Sequence, residues 1–593
     1  METTSAIINK PLDPQYTDTF EPVYRDVSND SVEWIEVVST YGRDVETQNG
    51  VNQSYEFNIP GGKFLDYSKA HFIEEFKLKK PSAVAASDKF FTPVNNFPAQ
   101  FFNYCEVNVG VNNQNMQTIN EYGTIHTQLQ RVHGSKEWSD VEGVDSGWIP
   151  DNVTLGHALA AQTVIGGKSV AAGYIPYGGD GQKFGLENKP NFFEDLPAQK
   201  RRKWFLSGLD ANNNLVADAA ETTTSAKIDA SRVNTVGKKF IHKPSIIGIF
   251  QTEKIVNFPV QIKFRRAANE NLYQRSIIQT TTTNKYTTYS ADVAVPANFA
   301  DVAAAYAYVK ANSDRLKSRA QSIAWAGDIT TSLKYDSEVA AAIHAADNLI
   351  NSARTLGSTD WEFYLKSMVL RIPVKKPEFS IETAINAQLL EAKTILYPFK
   401  NVKYFKSVDF TTSSTGTEYI ELQSLSIGRP KRIYLYFQCS DRANGTIQRD
   451  ANDICGCESL QLLINDNQRF PYNPIAMNLI EPIEIPFTKA SEVYNVIEPI
   501  IELRKAQFGD VNNYKMAPQI NEFNFAHFPI FVFDLSPSGT DLPYPNRDNT
   551  KITLLLNKFK LPAGVASAKI HCISVFDSVL EANMIDKTCM LNI

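Results

Sequence analysis

The sequence has few cysteines, no long hydrophobic run and little net charge, and each shortage excludes a class of protein. Six cysteines in 593 residues are too few for a disulfide-stapled scaffold. No run of 18 consecutive apolar residues occurs, so no transmembrane helix is predicted. The first twenty residues lack a basic region followed by an apolar core. We therefore expect no secretory signal, and synthesis in a reducing host cytoplasm or nucleus.

The charge pattern argues against a protein that binds specific nucleic-acid sequences. The net charge is −6, and the one dense basic cluster is Lys200-Arg201-Arg202-Lys203. A nucleic-acid-binding domain is usually basic or carries a basic stripe. We predict that this cluster is a solvated loop and that the chain has no sequence-specific nucleic-acid binding.

Motifs for catalysis, metals and cofactors are also missing. The segment 164–169 ends like a phosphate-binding loop, but Gln162 stands where that loop requires glycine, so a flexible glycine-rich loop is favoured. Cys455 and Cys457 are spaced too closely for a C-x-x-C zinc knuckle. No H-E-x-x-H or G-x-S-x-G motif occurs. We predict no enzyme activity and no catalytic, cofactor-binding or metal site.

The composition that is present favours a large β-structure. Hydrophobic residues make up 43% of the chain and charged residues 21%, as in ordinary globular proteins. The 35 Phe and 25 Tyr residues are side chains that strands favour. A chain of 593 residues is too long for one core, so two or more domains are expected.

The stretch 101–134 is the most informative part of the sequence. Cys105, Val107, Val109 and Val111 alternate with polar residues or glycine, which predicts a half-buried strand that ends at Asn112-Asn113. Helical spacing follows in Tyr122, Ile125, Leu129 and Val132, and Thr118 with Glu121 predicts a capping box before that helix.

This stretch resembles a signature of the double jelly-roll major capsid proteins, which include adenovirus hexon and the capsid proteins of Polinton-like elements, adintoviruses and virophages. The matching features are the apolar segment 98–102, the V-x-V-x-x-N strand ending at Asn112, and Asn120-Glu121-Tyr122 before the helix. Further segments resemble the family later in the chain: Gly428-Arg429-Pro430, the strand 528–537 and the closing pattern 577–581.

An internal echo indicates a duplicated domain. Leu460, Leu462 and Ile464 followed by Asn465-Asp466 repeat the pattern of Val107, Val109 and Val111 followed by Asn112-Asn113. Two such strands with the same turn chemistry, one in each half, are what a duplication leaves behind. We expect them to occupy equivalent strands, with Asn112 matching Asn465 within a residue or two.

The predicted fold is mainly β, with two tandem eight-stranded jelly-roll sandwiches and loop and small helical insertions. We expect insertions where the β-pattern fades: one Gly-rich segment and one Ala-rich segment with two helical patterns. Ile552, Leu554 and Leu556 are predicted to form the hairpin partner of the strand in 528–537. The predicted divisions are an N-terminal arm at 1–50 with one short strand at 32–38, a first jelly roll at 51–378 with insertions at about 135–235 and 298–357, a linker helix at 379–394, and a second jelly roll at 395–593.

The resemblance implies a viral major capsid protein of the virion. Such a protein forms homotrimeric, pseudo-hexagonal capsomers that tile an icosahedral shell around a double-stranded DNA genome. Its implied partners are neighbouring capsomers, penton proteins and minor capsid proteins. Two other classes stay open on sequence alone: a receptor- or carbohydrate-binding β-sandwich of the fibre or spike type, and a glycoside hydrolase with β-sandwich modules, whose paired carboxylates sequence cannot reveal.

Overall fold

A computed structural model of the chain defines the part of the molecule that is described below. With short internal gaps, the described residues are 29–42, 53–79, 91–150, 238–279, 354–356, 362–377, 394–439, 459–476, 498–500, 529–535, 549–559 and 567–592, together with residues 164, 165, 168, 169, 201, 204, 383, 387 and 452.

The described part of the first half contains fourteen strands and three α-helices, besides the isolated helical residues Arg201 and Trp204. In chain order they are β1 (Asn29–Val38), β2 (Ser54–Ile59), β3 (His71–Lys79), β4 (Phe91–Pro93), α1 (Phe97–Gln100), β5 (Phe102–Val109), β6 (Gln114–Asn120), α2 (Tyr122–His133), α3 (Lys136–Asp140), β7 (Val164–Ile165), β8 (Lys168–Ser169), β9 (Lys238–His242), β10 (Val260–Arg266), β11 (Tyr273–Arg275), β12 (Ile277–Gln279), β13 (Arg354–Leu356) and β14 (Glu362–Pro377). Single 3-10 turns lie at Tyr67–Lys69, Gly143–Ser146, Gly248–Gln251 and Asn269–Asn271.

The second half contains nine described strands. They are β15 (Thr394–Lys406), β16 (Thr417–Gln423), β17 (Arg432–Cys439), β18 (Ser459–Ile464), β19 (Gln468–Ala476), β20 (Phe531–Asp534), β21 (Ile552–Asn557), β22 (Ala568–Asn583) and β23 (Cys589–Asn592).

Each half folds into a sandwich of two antiparallel sheets, each with four main strands, and β23 adds a fifth strand beside β22 in the second sandwich. The sheet orders are β1-β14-β3-β9 and β2-β10-β5-β6 in the first sandwich, and β15-β22-β17-β20 and β16-β21-β18-β19 in the second. If the eight strands of each sandwich are lettered B to I in chain order, both read B-I-D-G and C-H-E-F. This is the jelly-roll arrangement, so the predicted fold class is confirmed.

Alternating side chains build the core of the first sandwich. Tyr55, Phe57 and Ile59 of β2 are buried while their neighbours are more exposed, as expected for strands with one face toward a core. Phe72 of β3 reaches across the sandwich and meets Phe57 and Phe264 edge-on, with ring centroids 5.1 and 5.4 Å apart. Such aromatic pairs bury large areas and add directional contacts to the hydrophobic effect.

The two strands of the internal echo hold the same place in the two sandwiches. Both are third in their C-H-E-F sheet, and Val109 and Ile464 pair with the first residues of the neighbouring strands, Val260 and Ile552. The turn after β5 is one residue longer than the turn after β18, so Asn112 lies two positions beyond the match to Asn465. The strand also ends earlier than predicted, at Val109.

Two local predictions were wrong. Thr118 and Glu121 do not form a capping box, because Thr118 lies in β6 and Glu121 has a left-handed backbone (φ 55°) with no side-chain cap bond. Strand β6 escaped notice because its sequence is mostly polar. Strand β21 is not the hairpin partner of β20: it pairs with β16 and β18, whereas β20 pairs with β17 in the opposite sheet.

Parts of the predicted division fall outside the described residues. Strand β1 contains the strand predicted at 32–38 and pairs with β14 as a member of the first sandwich. Most of the insertion at 135–235, and nearly all of that at 298–357 with its two predicted helices, lie outside the described residues. Of the linker helix predicted at 379–394, Thr383 and Ala387 are described as helical, and Thr394 is instead the first residue of β15.

Candidate functional site: the joint between the sandwiches

Helix α2 forms the first half of a joint that ties the two sandwiches together. Its residues Tyr122, Ile125 and Val132 are buried at the spacing that the sequence predicted. Gly123 lets the helix lie directly on α1, since a Cβ at that position would come within 2.5 Å of the Gln100 Cα. The helix is thereby fixed on the first sandwich, and its other side is free to contact the second.

Two polar contacts connect α2 to the second sandwich. The amides of Gln128 and Asn452 exchange hydrogen bonds of 3.0 and 3.1 Å, and both side chains are buried. His133 Nε2 lies 2.9 Å from the hydroxyl of Tyr434, a buried residue of β17. Each of these two amides donates one hydrogen bond to the other and accepts one, so the polar atoms that face each other are satisfied. Such a buried pair fixes one orientation of the helix on the second sandwich.

Apolar packing at Gly248 forms the centre of the joint. A Cβ on Gly248 would lie 2.2 Å from Phe399 Cδ2 and 2.9 Å from Met116 Cε. The first sandwich therefore approaches the ring of Phe399 as closely as a glycine allows. Beside it the Lys400 amide donates to Gln251 Oε1 at 2.8 Å, and the Tyr397 hydroxyl donates to the Ile255 carbonyl at 3.0 Å.

The turn after β5 makes the third contact region of the joint. Asn112 Nδ2 donates to the Cys589 carbonyl at 2.7 Å, and the Cys589 amide donates back to Asn112 Oδ1 at 3.0 Å. The Val111 amide donates to the Lys587 carbonyl at 2.8 Å. Burial raises the pKa of the Cys589 thiol to about 12, so this sulfur stays protonated at neutral pH and is a packing group.

A cleft of about 750 Å³ remains beside the joint. Its walls come from both sandwiches and include Leu129, His133, Phe399, Arg432 and Tyr434. Two of its polar groups already have partners across the wall: Arg432 Nε pairs with Asp534 at 3.3 Å, and His133 contacts Tyr434. We read the cleft as the margin of the joint and assign it no ligand.

A buried polar cluster lies on the opposite side of α2, inside the first sandwich. His242 Nδ1 is 2.9 Å from Glu74 Oε1, and His242 Nε2 is 2.9 Å from the Tyr122 hydroxyl. The ring of His126 on α2 lies 5.5 Å from the ring of His242, and its Nδ1 is 3.0 Å from Asn96 Nδ2. Burial lowers the pKa of both histidines to about 3, and burial raises the pKa of Glu74 well above its usual range. Both imidazoles are therefore uncharged at neutral pH, and the raised pKa of Glu74 favours the neutral form of its carboxyl group.

This cluster predicts acid destabilisation. As the pH falls below 6.5, the unfolded chain binds two imidazole protons that the folded chain refuses, because burial holds both folded imidazole pKa values at about 3. The raised pKa of Glu74 acts in the opposite direction, since it lets the folded chain keep a carboxyl proton that the unfolded chain has lost. This proton offsets at most one of the two imidazole protons, so below about pH 5.5 stability falls by at least about 1.4 kcal/mol per pH unit, until the pH approaches the folded histidine pKa values.

Urea unfolding at pH 7, 6, 5 and 4 measures this slope. Other carboxyl groups contribute to it, so the test is the difference between the wild type and His126→Asn. The variant removes one of the two depressed imidazoles and should lose about one proton from the slope. Parallel slopes for the two proteins would show that His126 is not held neutral in the fold.

The residues that the sequence singles out as possible sites lie in different parts of the structure. Arg201, predicted in a solvated loop, is instead buried: its Nε donates to the Pro93 carbonyl at 2.8 Å, and a second nitrogen donates to the Ile149 carbonyl. The glycine-rich loop forms the small β7–β8 hairpin. Cys455 and Cys457 lie outside the described residues. Sequence reasoning missed Gln128 and Asn452, because an isolated amide carries no pattern.

Two other kinds of site are absent from the described ranges. No group of three or more His, Cys, Asp or Glu side chains is placed to hold a metal ion there. Among the helices of that same part of the chain, none has the length and hydrophobicity needed to cross a bilayer.

Comparison with known proteins gives structural matches only. No protein-family model and no curated protein sequence matches the chain. Among solved structures, a chain of the Sputnik virophage structure determined by cryo-EM is similar at 10% identity and a TM-score of 0.48, covering 98% of this chain and 92% of that one. The mavirus major capsid protein is similar at 11% identity and a TM-score of 0.42, covering 100% and 95%. The Faustovirus major capsid protein is similar at 8% identity and a TM-score of 0.44, covering 95% and 92%.

Proposed function

We propose that this chain is a viral major capsid protein whose activity is assembly. The observation that carries the proposal is internal: one chain contains two sandwiches of identical strand order, fixed side by side by a buried joint. A rigid pair of equivalent β-blocks is a building unit for a lattice. The capsid-like segments at 98–122, 428–430 and 577–581 support the same role.

The capsomer in this proposal is a homotrimer. Three chains supply six similar sandwiches, so a ring with threefold symmetry presents six similar corners and can tile an icosahedral facet. Its interfaces would each bury on the order of 2,000 Å² or more, the range of permanent assemblies. The shell would enclose double-stranded DNA, and its partners would be neighbouring capsomers, penton proteins and minor capsid proteins of the virion.

The proposal includes a division of the chain into two jelly rolls, a linker and an N-terminal arm. Residues 51–378, joined by strand β1 of the arm, form the first jelly roll, and residues 395–593 form the second. Residues 379–394 are the linker, and the rest of 1–50 is an arm that orders against neighbours. The insertions at about 135–235 and 298–357 would face outward, where length costs little packing. Limited proteolysis of assembled particles should then cut first in these two insertions, whereas early cuts confined to the sandwich strands would contradict that placement.

Electron microscopy of the purified chain tests the proposal. Negatively stained particles should show a pseudo-hexagonal outline with threefold symmetry, and antibodies against the chain should label the surface of intact virions. Elongated fibres with terminal knobs would instead favour the receptor-binding alternative. We propose no enzymatic step, and genome contact would be weak and without sequence specificity because the chain is mildly acidic.

A further inference from the structure

The hydrogen bonds around Thr127 of α2 run in a fixed direction and end at His126. The Thr127 hydroxyl donates to the Gly123 carbonyl at 2.7 Å. A hydroxyl carries only one hydrogen. Thr127 Oγ1 must therefore accept its other two bonds, from Gln100 Nε2 at 2.9 Å and from Asn96 Nδ2 at 3.0 Å. The Asn96 atom that lies between Thr127 and His126 is thus the amide nitrogen, which is a donor.

These bonds leave His126 with one protonation state. Asn96 Nδ2 lies 3.0 Å from His126 Nδ1, and because this nitrogen only donates, Nδ1 accepts and carries no proton. The imidazole proton is on Nε2, which lies 3.2 Å from the Lys243 carbonyl. A second proton would bind Nδ1 and face the N–H of Asn96. Asn96 can present its oxygen to His126 only by losing the bond to Thr127.

The side chains packed around His126 favour the same neutral state. The rings of His242 and Tyr122 lie 5.5 and 5.8 Å from the imidazole ring. Glu74 contacts His242 at 2.9 Å. Burial raises the pKa of Glu74 and of the nearby Cys105 thiol well above their usual ranges. These shifts favour the neutral forms of both groups, so neither supplies a full negative charge to a protonated His126.

The charge of Lys243 lies away from this site. Its carbonyl accepts from His126, whereas its Nζ pairs at the surface with Glu142 at 3.3 Å. Among the described residues, the contacts of the His126 ring are thus two hydrogen bonds and two aromatic rings, without an ionised carboxylate. A proton on His126 would leave a buried charge without a counter-ion, which costs much more than a lost hydrogen bond.

Helix α2 also carries contacts of the joint with the second sandwich. Gln128, two residues after His126, exchanges hydrogen bonds with Asn452, and His133 contacts Tyr434. The helix is a single element of 12 residues. A movement of α2 away from the first sandwich therefore also displaces its contacts with the second.

We infer that α2 is a pH-dependent latch: proton uptake by His126 releases the helix from the first sandwich and opens the joint. Because Asn96 blocks Nδ1 in the closed position, the proton binds after α2 has moved. Acid thus stabilises the open position, as a ligand stabilises the one state that binds it. The latch lies within one chain, so the inference goes beyond the proposed assembly and does not depend on it.

The ordinary acidity of imidazole sets the size of the effect. An exposed His126 in the open position has a pKa of about 6.5, whereas burial lowers the pKa of His126 in the closed position to about 3. Lowering the pH from 7 to 5 should therefore raise the ratio of open to closed molecules about 25-fold through His126. His242 and Glu74 remain on their strands, and the shifts of their pKa values act in opposite directions.

Hydrogen exchange followed by mass spectrometry measures the opening. The wild-type chain is incubated in deuterated buffer between pH 7 and pH 5, and each exchange rate is divided by the intrinsic amide rate at that pH. Peptides from α2 should then exchange about 25-fold faster at pH 5 than at pH 7, while peptides from β10 keep their protection. Equal loss of protection in α2 and β10 would show unfolding of the whole sandwich and would overturn the latch, as would an unchanged α2.

The variant Asn96→Asp tests the direction of the hydrogen bonds. It places a carboxylate where the blocking amide nitrogen stands, so a protonated Nδ1 of His126 gains an acceptor and a counter-ion. The Thr127 hydroxyl can donate to this carboxylate in place of the Gly123 carbonyl. Peptides from α2 should then lose most of the wild-type rise in exchange at pH 5, because the protonated helix stays closed. A full rise in this variant would contradict the assigned direction of the bonds and the latch with it.

Two histidine variants complete the test. His126→Asn cannot take up the proton and should also lose most of the rise, which decides the question if Asn96→Asp does not fold. His71→Asn is the matched control, because His71 lies half-buried on β3 with its Nδ1 3.4 Å from the Lys69 carbonyl, and it should keep the full rise. An undiminished rise in His126→Asn, or its loss in His71→Asn, would show that another group responds to acid and would overturn the latch.

Discussion

Gly248→Val is expected to destabilise the chain by about 3 kcal/mol and to abolish trimer formation. The first carbon of any side chain at this position would lie 2.2 Å from Phe399 Cδ2, and Phe399 is buried. Overpacking of this kind forces side chains from their rotamers or moves the backbone. At Gly248 we expect the two sandwiches to move apart. This movement would change the angle between them, and closure of the three-chain ring depends on that angle.

Gly416→Val is the control for this prediction. No atom lies within 4 Å of the Cβ that Gly416 would carry, so the same substitution adds a β-favouring side chain in open space. Urea unfolding and sedimentation should find the Gly416 variant equal to the wild type within about 0.5 kcal/mol. If the two variants behave alike, the close contact between position 248 and Phe399 does not determine how the two sandwiches pack together.

Asp577→Asn is expected to cost about 3 kcal/mol or more. Asp577 Oδ2 lies 3.1 Å from Lys431 Nζ, and the two side chains are 2% and 6% exposed. Removing one charge of a buried pair leaves the other without compensation in a medium that solvates it poorly. Lys431 stands next to the first residue of β17 and Asp577 within β22, so the pair ties the central strands of one sheet together.

Two further variants test whether this loss of stability comes from an uncompensated buried charge or from a general disturbance of the fold. Lys431→Met/Asp577→Leu removes both charges and should recover most of the lost stability, because apolar groups replace a buried ion pair at little cost. Glu142→Gln removes one charge of the exposed pair with Lys243, whose side chains are 61% and 59% exposed, and should change stability by less than about 1 kcal/mol. All unfolding curves must be measured at the same protein concentration, since association of the chains adds to their apparent stability. A double variant no better than Asp577→Asn would contradict this account.

The sequence predicted the strands that bury one face and missed those that do not. Strands such as β2 and β10 alternate Tyr, Phe, Ile and Val with polar residues, so their period of two is visible. Strand β6 reads QNMQTIN, and it packs against β15 and β23 of the second sandwich, contacts that local sequence cannot reveal. Strand β19 carries two prolines and lies at a sheet edge, where proline is tolerated.

The joint was hidden from the sequence for a related reason. Asn112 was identified only as a turn residue, yet it bonds to Cys589, 477 positions later. Gln128 falls on the helix between apolar positions and would be expected in solvent, but Asn452 meets it there. Arg201 was assigned to a charged loop because charge runs are usually solvated, whereas backbone carbonyls hold it in the interior. Long-range partners decide each case, and no local pattern encodes them.

The mass of the purified wild-type chain in dilute solution tests the central claim most directly. Mass photometry at nanomolar and sedimentation at micromolar concentration should both give three times the 66.3 kDa chain mass, because interfaces of permanent size do not dissociate on dilution. A dominant species at the mass of one chain, or a two-chain species built from two identical faces, would contradict an account in which six sandwiches close one ring.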